Sequence, residues 1–410
     1  MTALRWAVLV GAVLPFVYYV GAICCAWGFF RQRRDDFDGF TPPVSILKPV
    51  RGIDREAYEN FASFCRQDYT GYEILFAAAD EQDAAIPVIR MLIRDFPQLP
   101  IRLLIGFDDL GSNDKVNKLC RPTREARHDL LVISDSDIRV DADYLRSVVS
   151  PLRDPRVGVV TCLYVGLAEP RLWSELEAIN LTSNFLPGVL VARQLEGVRF
   201  SLGSTIAIAR DRLREIGGFE SLVDLAADDF EVGSRVAARG YRVELSSCAV
   251  QTMCCSPTAR EFFKRHLRWA VGLRNSRPGG YFGSILTQGL PWSLAAVAAG
   301  HSALVAAGYL GAYLALRLAM AWTVGVWGLR DQVLRKKLWL VPLVDALGFI
   351  IWTLSFVSSR IQWRGSGFYV RGKRLVPVAF GHSNQGRDAS EAKARATRDA
   401  PPERLYNSRP

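Results

Sequence analysis

Long apolar tracts at both ends of the chain constrain its fold more than any other feature of the sequence. Residues 5–30 carry a single charge, and the tracts 290–328 and 338–358 are almost as apolar. A helix over the first tract would span about 35–40 Å, more than the roughly 30 Å hydrocarbon core of a bilayer. The sequence therefore predicts N- and C-terminal transmembrane helices around a middle segment of ordinary composition.

The first tract is expected to remain as an uncleaved anchor. A signal peptide is the alternative, but its apolar region would be shorter and would end at a small-x-small site, which the sequence lacks. Basic residues at 31, 33 and 34 follow the tract. Because such residues stay on the cytoplasmic side, we expect a multi-pass membrane protein with a cytoplasmic middle domain.

The C-terminal tract allows more than one topology. Gly308 divides residues 290–328 into two possible spans, and Arg317 and Asp345 place charges inside apolar runs. Four full spans would put the C-terminus outside, whereas the basic residues from Arg360 onward favour the inside. One segment is then re-entrant or interfacial.

Composition divides the chain into four predicted parts. These are an anchor at 1–34, a cytoplasmic domain at 43–275, interfacial and transmembrane helices at 276–360, and a C-terminal tail at 361–410 that is disordered after about 385. The net charge of +10 is concentrated beside apolar runs, so we expect a membrane partner and no nucleic acid. The eight cysteines include no C-x-x-C pair, which disfavours a zinc site or a disulfide framework.

Strand-like and helix-like segments alternate through the middle domain. Strands are predicted at 44–48, 73–78, 101–105 and 130–134, with helices at 56–66, 86–95 and 116–127. This alternation predicts an α/β fold with a mostly parallel, doubly wound sheet, whose ligands bind beyond the carboxyl ends of the strands. No P-loop or G-x-G-x-x-G follows the first strand, which disfavours a P-loop kinase and an ordinary dinucleotide oxidoreductase.

Acidic residues follow two of these strands. Asp135-Ser136-Asp137 comes after the fourth strand, where paired carboxylates can share Mg²⁺ or Mn²⁺ and bridge it to a diphosphate. A polar turn that ends the strand is the alternative. Asp80 follows the second strand and is either an acceptor for a nucleotide NH or OH or a turn residue.

Two further motifs precede predicted helices. Asn113, Lys115 and Asn117 surround a helix start where a cation and backbone N–H groups can meet phosphate, or they simply cap the helix. Asp228-Asp229 opens another helix. One aspartate there can be an N-cap, and the other can act as a general base, a role worth about 10²–10⁴-fold in rate.

The segment Arg265-His266-Leu267-Arg268-Trp269 combines cations with an aromatic residue. Arg265 and Arg268 share one helix face, which suits a pyrophosphate leaving group, and Trp269 can supply an apolar wall. The alternative is an interfacial helix that contacts lipid headgroups.

In this order, the motifs resemble the ceramide glucosyltransferase family, in the processive-like branch of glycosyltransferase family 2. The resemblance covers about residues 44–269 and extends into the membrane tract. The shared elements are Leu47-Lys48-Pro49 with Gly52, Asn113-x-Lys115-x-Asn117, an Asp-Ser-x-Ile-Arg segment at 135–139, the Asp229 element and (Gln/Arg)-x-x-Arg-Trp at 265–269. Bacterial hopanoid-biosynthesis glycosyltransferases share similar stretches at 58–69 and 135–140.

The resemblance implies a GT-A fold, a UDP-sugar donor and a lipid acceptor. It implies that Asp229 is the general base and that Asp135 and Asp137 hold a divalent metal, Mg or Mn, although some members lack the second acid. The donor-binding residues it implies are Lys48, Asp80, Lys115, Asn117, Asp135, Arg265, Arg268 and Trp269. The third motif reads Ala-Asp-Asp-Phe here, where Glu-Asp is common, and alignment selects Asp229 rather than Asp228.

The reaction implied is inverting transfer of a hexose, with glucose moved to ceramide to give glucosylceramide. The hopanoid branch implies N-acetylglucosamine and a hopanoid lipid instead. Polysaccharide synthases share the D-x-D and Arg-Trp features but normally have more spans. A membrane-anchored binding protein on a degenerate transferase fold is the non-catalytic alternative.

Overall fold

The computed structural model describes residues 2–32, 39–363 and 366–378. Within these ranges, eight strands form one sheet in the order β3-β2-β1-β4-β7-β6-β8-β5. The strands are β1 Val44–Pro49, β2 Tyr72–Ala78, β3 Ile101–Ile105, β4 Leu130–Ile133, β5 Ile138–Arg139, β6 Val157–Ala168, β7 Ile206–Ala209 and β8 Arg242–Cys254. The first four are the strands that the sequence predicts, with ends that differ by at most one residue.

The sheet is parallel in its first half and mixed in its second. β1 pairs in parallel with β2 and β4, and β2 pairs in parallel with β3. β7 is antiparallel to β4 and β6, whereas β6 and β8 are parallel. The prediction of a mostly parallel α/β sheet is therefore confirmed.

Helices cover both faces of this sheet and continue beyond it. Their bounds are α1 Thr2–Gly11, α2 Leu14–Arg31, α3 Ala57–Cys65, α4 Ile86–Asp95, α5 Asp114–Glu125, α6 Tyr144–Val149, α7 Leu172–Asn180, α8 Leu186–Glu196, α9 Arg210–Glu215, α10 Asp228–Ala238, α11 Ala259–Ser276, α12 Pro278–Gly283, α13 Gly289–Gly300, α14 Ala303–Ala321, α15 Gln332–Lys336 and α16 Val341–Val357. Successive residues of β1 point to opposite faces. Ile46 belongs to one core with Phe61 of α3, whereas Leu47 belongs to another with Leu119 of α5.

Among the described residues, three helices are long and apolar enough to cross a membrane: Ala3–Arg31, Ala303–Gly328 and Leu338–Val357. The expected division of the second tract at Gly308 is wrong. The helix is instead interrupted at His301, whose φ of 51° lies in the left-handed region, and Gly308 lies inside α14. A glycine is tolerated inside a lipid-exposed helix because the helical hydrogen bonds persist around it.

The membrane helices form one packed group. The Tyr309 hydroxyl of α14 donates to the Leu9 carbonyl at 2.7 Å, and the rings of Trp27 and Trp327 lie 6.4 Å apart, so α14 runs parallel to the N-terminal helices. α13 runs the other way, because Arg5 donates to the Gly300 carbonyl at 2.9 Å. With 12 residues, α13 is about 18 Å long, too short to cross alone.

Residues that the sequence analysis placed at the start of the tail form a small antiparallel sheet. We call it the C-terminal sheet; its strands are β9 Arg360–Trp363, β10 Ser366–Arg371 and β11 Arg374–Pro377. It packs on α11 through a core that contains Val271 and Phe368. The predicted disorder after residue 385 falls outside the described residues. The segment 274–290 contains the short helix α12 and a 3₁₀ turn.

Candidate active site

The carboxylates of the Asp135 motif lie at the carboxyl edge of the sheet, directly beyond β4. Lys48, at the end of the neighbouring β1, donates from Nζ to the Asp135 carbonyl at 2.9 Å. Lys115 Nζ lies 2.7 Å from Asp135 Oδ1. The fold therefore brings together Lys48, Lys115 and Asp135, three of the predicted site residues. Burial lowers the pKa of the Lys48 ammonium to about 7.

Asp137 lies in a crowded acidic environment. Its Oδ2 accepts from the Thr252 hydroxyl at 3.3 Å, and nearby Ser136 donates to Asp54 at 2.5 Å. Burial, and then the charges of Asp135 and Asp54, raise the pKa of Asp137 to about 7. An oxygen-rich, negatively charged site of this kind suits a hard divalent cation.

Asp228 and Asp229 occupy the first turn of α10 but have different partners. Asp228 is buried, accepts from Asn113 Nδ2 at 3.3 Å and lies 3.6 Å from Lys115 Nζ. Asp229 Oδ1 accepts a hydrogen bond from the backbone N–H of Phe230, the next residue of the helix, at 2.8 Å. Burial, together with the charge of Asp228, raises the pKa of Asp229 to about 6. Asp228 is thus engaged structurally, whereas Asp229 Oδ2 lies close to Gly203 on the side of Asp135.

A glycine that the sequence analysis missed keeps Asp229 and Asp135 accessible to each other. A Cβ at Gly203 would lie 2.7 Å from Asp229 Oδ2 and 3.5 Å from Asp135 Oδ2. The neighbouring Ser201 hydroxyl donates to the Asp229 carbonyl at 2.6 Å and accepts from Gly233 N at 3.1 Å. The small residues Ser201, Gly203 and Ser204, which surround Leu202, are the signal that would have indicated this close approach.

The Asn113 element acts partly as a cap. Asn113 Oδ1 accepts from the backbone of Lys115 and Val116, which is the helix-cap alternative, while its amide also contacts Asp228. Burial alone would lower the pKa of Lys115, but Asp135 and Asp228 raise it above its usual range. Lys115 is therefore a fixed cation that links the two acidic motifs. Asn117 is buried and donates to the Gly111 carbonyl at 2.7 Å.

The Arg265 motif lies on α11, with its two arginines in different surroundings. Arg265 Nη1 donates to the buried Glu177 at 2.7 Å, and its positive charge lowers the pKa of Asp137. The Arg268 guanidinium lies 5.4 Å from the centre of the Trp363 ring of the C-terminal sheet. Trp269 is 44% exposed. The sequence analysis did not anticipate Glu177 or Trp363.

Asp80 is more remote from this group. It is exposed and its carboxylate accepts the Gln82 N–H at 2.8 Å, the turn arrangement that was its alternative reading. Its predicted contact with a nucleotide stays a prediction.

The chain is similar to known proteins in sequence and in fold. Residues 4–376 match glycosyl transferase family 21. Ceramide glucosyltransferase 1 of Caenorhabditis elegans is 29% identical over 255 residues, which cover 62% of this chain and 54% of that protein. Ceramide glucosyltransferase 3 of the same organism is 27% identical over 280 residues, which cover 64% and 57%. The chain thus spans about half the length of these relatives.

A solved structure supports the fold assignment. A mannosyltransferase from Pyrobaculum calidifontis, in complex with GDP-Man and Mn²⁺, superimposes with a TM-score of 0.50 at 19% identity, covering 84% of this chain and 99% of that one. The expected GT-A fold is confirmed. Because the family match runs from the first helix to the last strand of the C-terminal sheet, this chain belongs to glycosyl transferase family 21.

Proposed function

We propose that this protein transfers a hexose from a UDP-sugar to a membrane lipid, with inversion at the anomeric carbon. The observation that carries the proposal is the position of Asp229. One of its oxygens faces Asp135 across Gly203, at the edge of the sheet where a diphosphate-bearing ligand would bind. Asp229, as a general base, would therefore lie beside a site suited to the diphosphate that leaves the sugar.

Asp229 is suited to removing a proton. The acceptor hydroxyl attacks the anomeric carbon from the face opposite the diphosphate, the bond to the diphosphate breaks, and Asp229 receives the hydroxyl proton. Its pKa of about 6 keeps it ionised at neutral pH while leaving it more basic than an exposed aspartate.

The leaving diphosphate would be bound by cationic groups on three sides. Lys48, Lys115 and Arg265 lie around the acidic motif, and Arg268 and Trp269 follow on α11. Asp135 and Asp137 fit a divalent metal shared with the diphosphate. No cluster of three or more His, Cys, Asp or Glu side chains arranged for a metal occurs among the described residues, so the diphosphate would supply further oxygen ligands. The metal would stabilise negative charge on the leaving group.

Aromatic residues connect Asp229 to the membrane helices. Phe230, next to Asp229, stacks on Phe200 with ring centres 6.0 Å apart, and Tyr164 contacts Phe185 at 6.1 Å. Phe185 immediately precedes α8, which packs against α2, with Arg193 5.1 Å from the Phe29 ring centre. We infer that an apolar acceptor reaches Asp229 from the side of the membrane helices. The names of the relatives support ceramide as this lipid and glucose as the sugar, giving glucosylceramide.

The packing of the C-terminal sheet supports a specific membrane topology. This sheet contacts the catalytic domain, proposed as residues 43–275, so an even number of crossings separates α11 from β9. The segment formed by α12 and α13 would cross the membrane once, and α14 would cross back, which makes two crossings. Both ends of α16 contact the domain: Val341 packs with Ile179, and Arg274 donates to the Ser355 carbonyl. We place α16 along the membrane surface and, from the basic residues after α2, the domain in the cytoplasm.

Replacing Asp229 with Asn tests the assignment. We expect transfer to fall by about 10²–10⁴-fold, because the amide cannot accept the proton, while UDP binding measured by calorimetry is retained. Asp211→Asn, at an exposed carboxylate that pairs with Arg214, is the matched control and should keep full activity. Unchanged turnover in Asp229→Asn would refute the base assignment.

Mass spectrometry of lipids from a host that expresses the chain, with and without a sphingolipid supply, tests the product. One hexose on ceramide, present only with sphingolipid, supports the proposal. A polymer contradicts transfer to a lipid, and a glycolipid that forms without sphingolipid contradicts ceramide as the acceptor.

A further inference from the structure

A cleft of about 330 Å³ lies between the catalytic domain and the C-terminal sheet. This volume falls within the range of small-molecule sites. One wall comes from the loop after β3 and the start of α5, and the other from Trp363, Ser366 and Phe368. The cleft is therefore completed by residues that follow the last candidate span.

Apart from Phe107, the side chains of the domain wall are polar, and the wall is continuous with the proposed diphosphate site. Lys115 lines the cleft and also contacts Asp135 at 2.7 Å. Asn117 lines it as well and is 2% exposed, and among the described residues its Oδ1 has no hydrogen-bond partner. A buried acceptor without a partner is costly unless a ligand supplies an N–H or O–H donor. This wall matches the polar edge of a nucleobase.

The opposite wall is aromatic and held in place. Phe368 is buried with Val271 and Ile361 in the core between the C-terminal sheet and α11. Trp363 lies in the same cluster and has the Arg268 guanidinium 5.4 Å from its ring centre. A planar base can stack on the face of such aromatic rings.

The C-terminal sheet is also tied to the segment that leads into Asp229. Ala226 N donates to the Lys373 carbonyl at 3.0 Å, and Leu375 N donates to the Asp224 carbonyl at 2.7 Å. Lys373 Nζ lies 2.7 Å from Glu231 Oε1 on α10. The position of the aromatic wall is therefore coupled to that of α10, the helix that carries Asp229.

We propose that the C-terminal sheet is part of the donor site, and that Trp363 and Phe368 form the wall on which the base of the donor nucleotide packs. This inference rests on the proposed function, since it assumes a nucleotide donor. It assigns a binding role to residues outside the GT-A domain.

The test uses the full-length chain in detergent and measures binding of UMP and of inorganic pyrophosphate by calorimetry. Trp363→Ala should weaken UMP about tenfold and leave pyrophosphate unchanged, because only UMP carries a base. Trp363→Phe should restore most of the UMP affinity. Tyr369→Ala is the matched control, since Tyr369 is an aromatic residue on β10, the strand next to that of Trp363, and is not among the residues that line the cleft.

Ser366→Phe provides a second variant that removes no core contact. The larger side chain should fill the cleft and weaken UMP by at least tenfold, again with pyrophosphate unchanged. UMP binding that stays at the wild-type level in both Trp363→Ala and Ser366→Phe would overturn the proposal. So would an equal loss for pyrophosphate, which would mean that Trp363 acts only by orienting Arg268. If the wild-type protein binds neither UMP nor UDP, the proposed function fails first.

Discussion

Two groups of buried charges in this molecule differ in their net charge: one is neutral and the other is negative. Between α14 and α16, Arg317 and Asp345 form a close pair at 2.7 Å, and Tyr313 donates to the same carboxylate at 2.8 Å. At the edge of the sheet, carboxylates outnumber the nearby cations, and the pKa values of Asp137 and Asp229 are raised. The Arg317–Asp345 pair has no net charge, whereas excess buried negative charge is stabilised only by a proton or a ligand. The difference separates structural charges from functional ones.

Breaking the ion pair between Arg317 and Asp345 should have the largest effect on stability. Asp345→Leu leaves the Arg317 guanidinium buried without its partner and should lower the unfolding free energy by about 3–5 kcal/mol. The double variant Arg317→Leu/Asp345→Leu should recover most of that loss, because no charge then remains unpaired. Thermal unfolding in detergent measures both. A double variant as unstable as Asp345→Leu would show that the charges do more than neutralise each other.

Filling the space between Asp229 and Asp135 should lower turnover without removing any charge. Gly203→Ala places a Cβ 2.7 Å from Asp229 Oδ2, so the carboxylate must move. We expect turnover to fall about 100-fold, as a displacement of about 1 Å at a reacting group can produce. Gly279→Ala, where a Cβ meets nothing within 4 Å, should remain fully active. Equal turnover in the two variants would show that the approach of Asp229 to Asp135 is unimportant.

Neutralising Asp229 should stabilise the protein, the reverse of the effect at Asp345. The pKa of Asp229 is raised from 3.8 to about 6, so its contribution to stability is complete below pH about 4 and is lost as the pH rises through 6. Asp229→Asn should therefore raise the unfolding free energy by about 2 kcal/mol at pH 7.5 and have no effect near pH 4. Melting curves at both pH values measure this. A lower stability at pH 7.5 would place Asp229 among the structural charges.

The pH dependence of transfer should show the smallest of these effects. Because the proposed base must be ionised, the rate should fall by about tenfold per pH unit below the Asp229 pKa of about 6 and level off above it. The residual rate of Asp229→Asn should lack this step. A wild-type rate that stays constant between pH 5 and 7 would contradict the role of Asp229 as base.

Local sequence patterns were sufficient for the first half of the sheet. The strand at 101–105 and the helix at 86–95 occur with the predicted bounds, because apolar periodicity and flanking turn residues are local signals. The same signals placed Asp135 and Asp229 at element ends. The division at Gly308 was wrong because composition alone does not show where a hydrogen-bonded helix breaks, and the break instead occurs at a histidine.

The residues that sequence analysis missed act through contacts between distant segments. Gly203 matters only because α10 and the loop after β4 approach it from two sides. Glu177 matters because α7 and α11 bring it to Arg265, 88 positions later in the chain. Trp363 joins the site only because the chain returns from the membrane to the catalytic domain.

Sequence patterns alone were enough to predict membrane helices around an α/β domain, with acidic motifs at strand and helix ends. Those features depend on hydropathy and local periodicity, which neighbouring residues set. The tertiary structure decided which aspartate faces Asp135, which cations are already paired, and that a sheet from the end of the chain completes a cleft beside Lys115. Such facts depend on distances between segments far apart in sequence, which only the packed chain fixes.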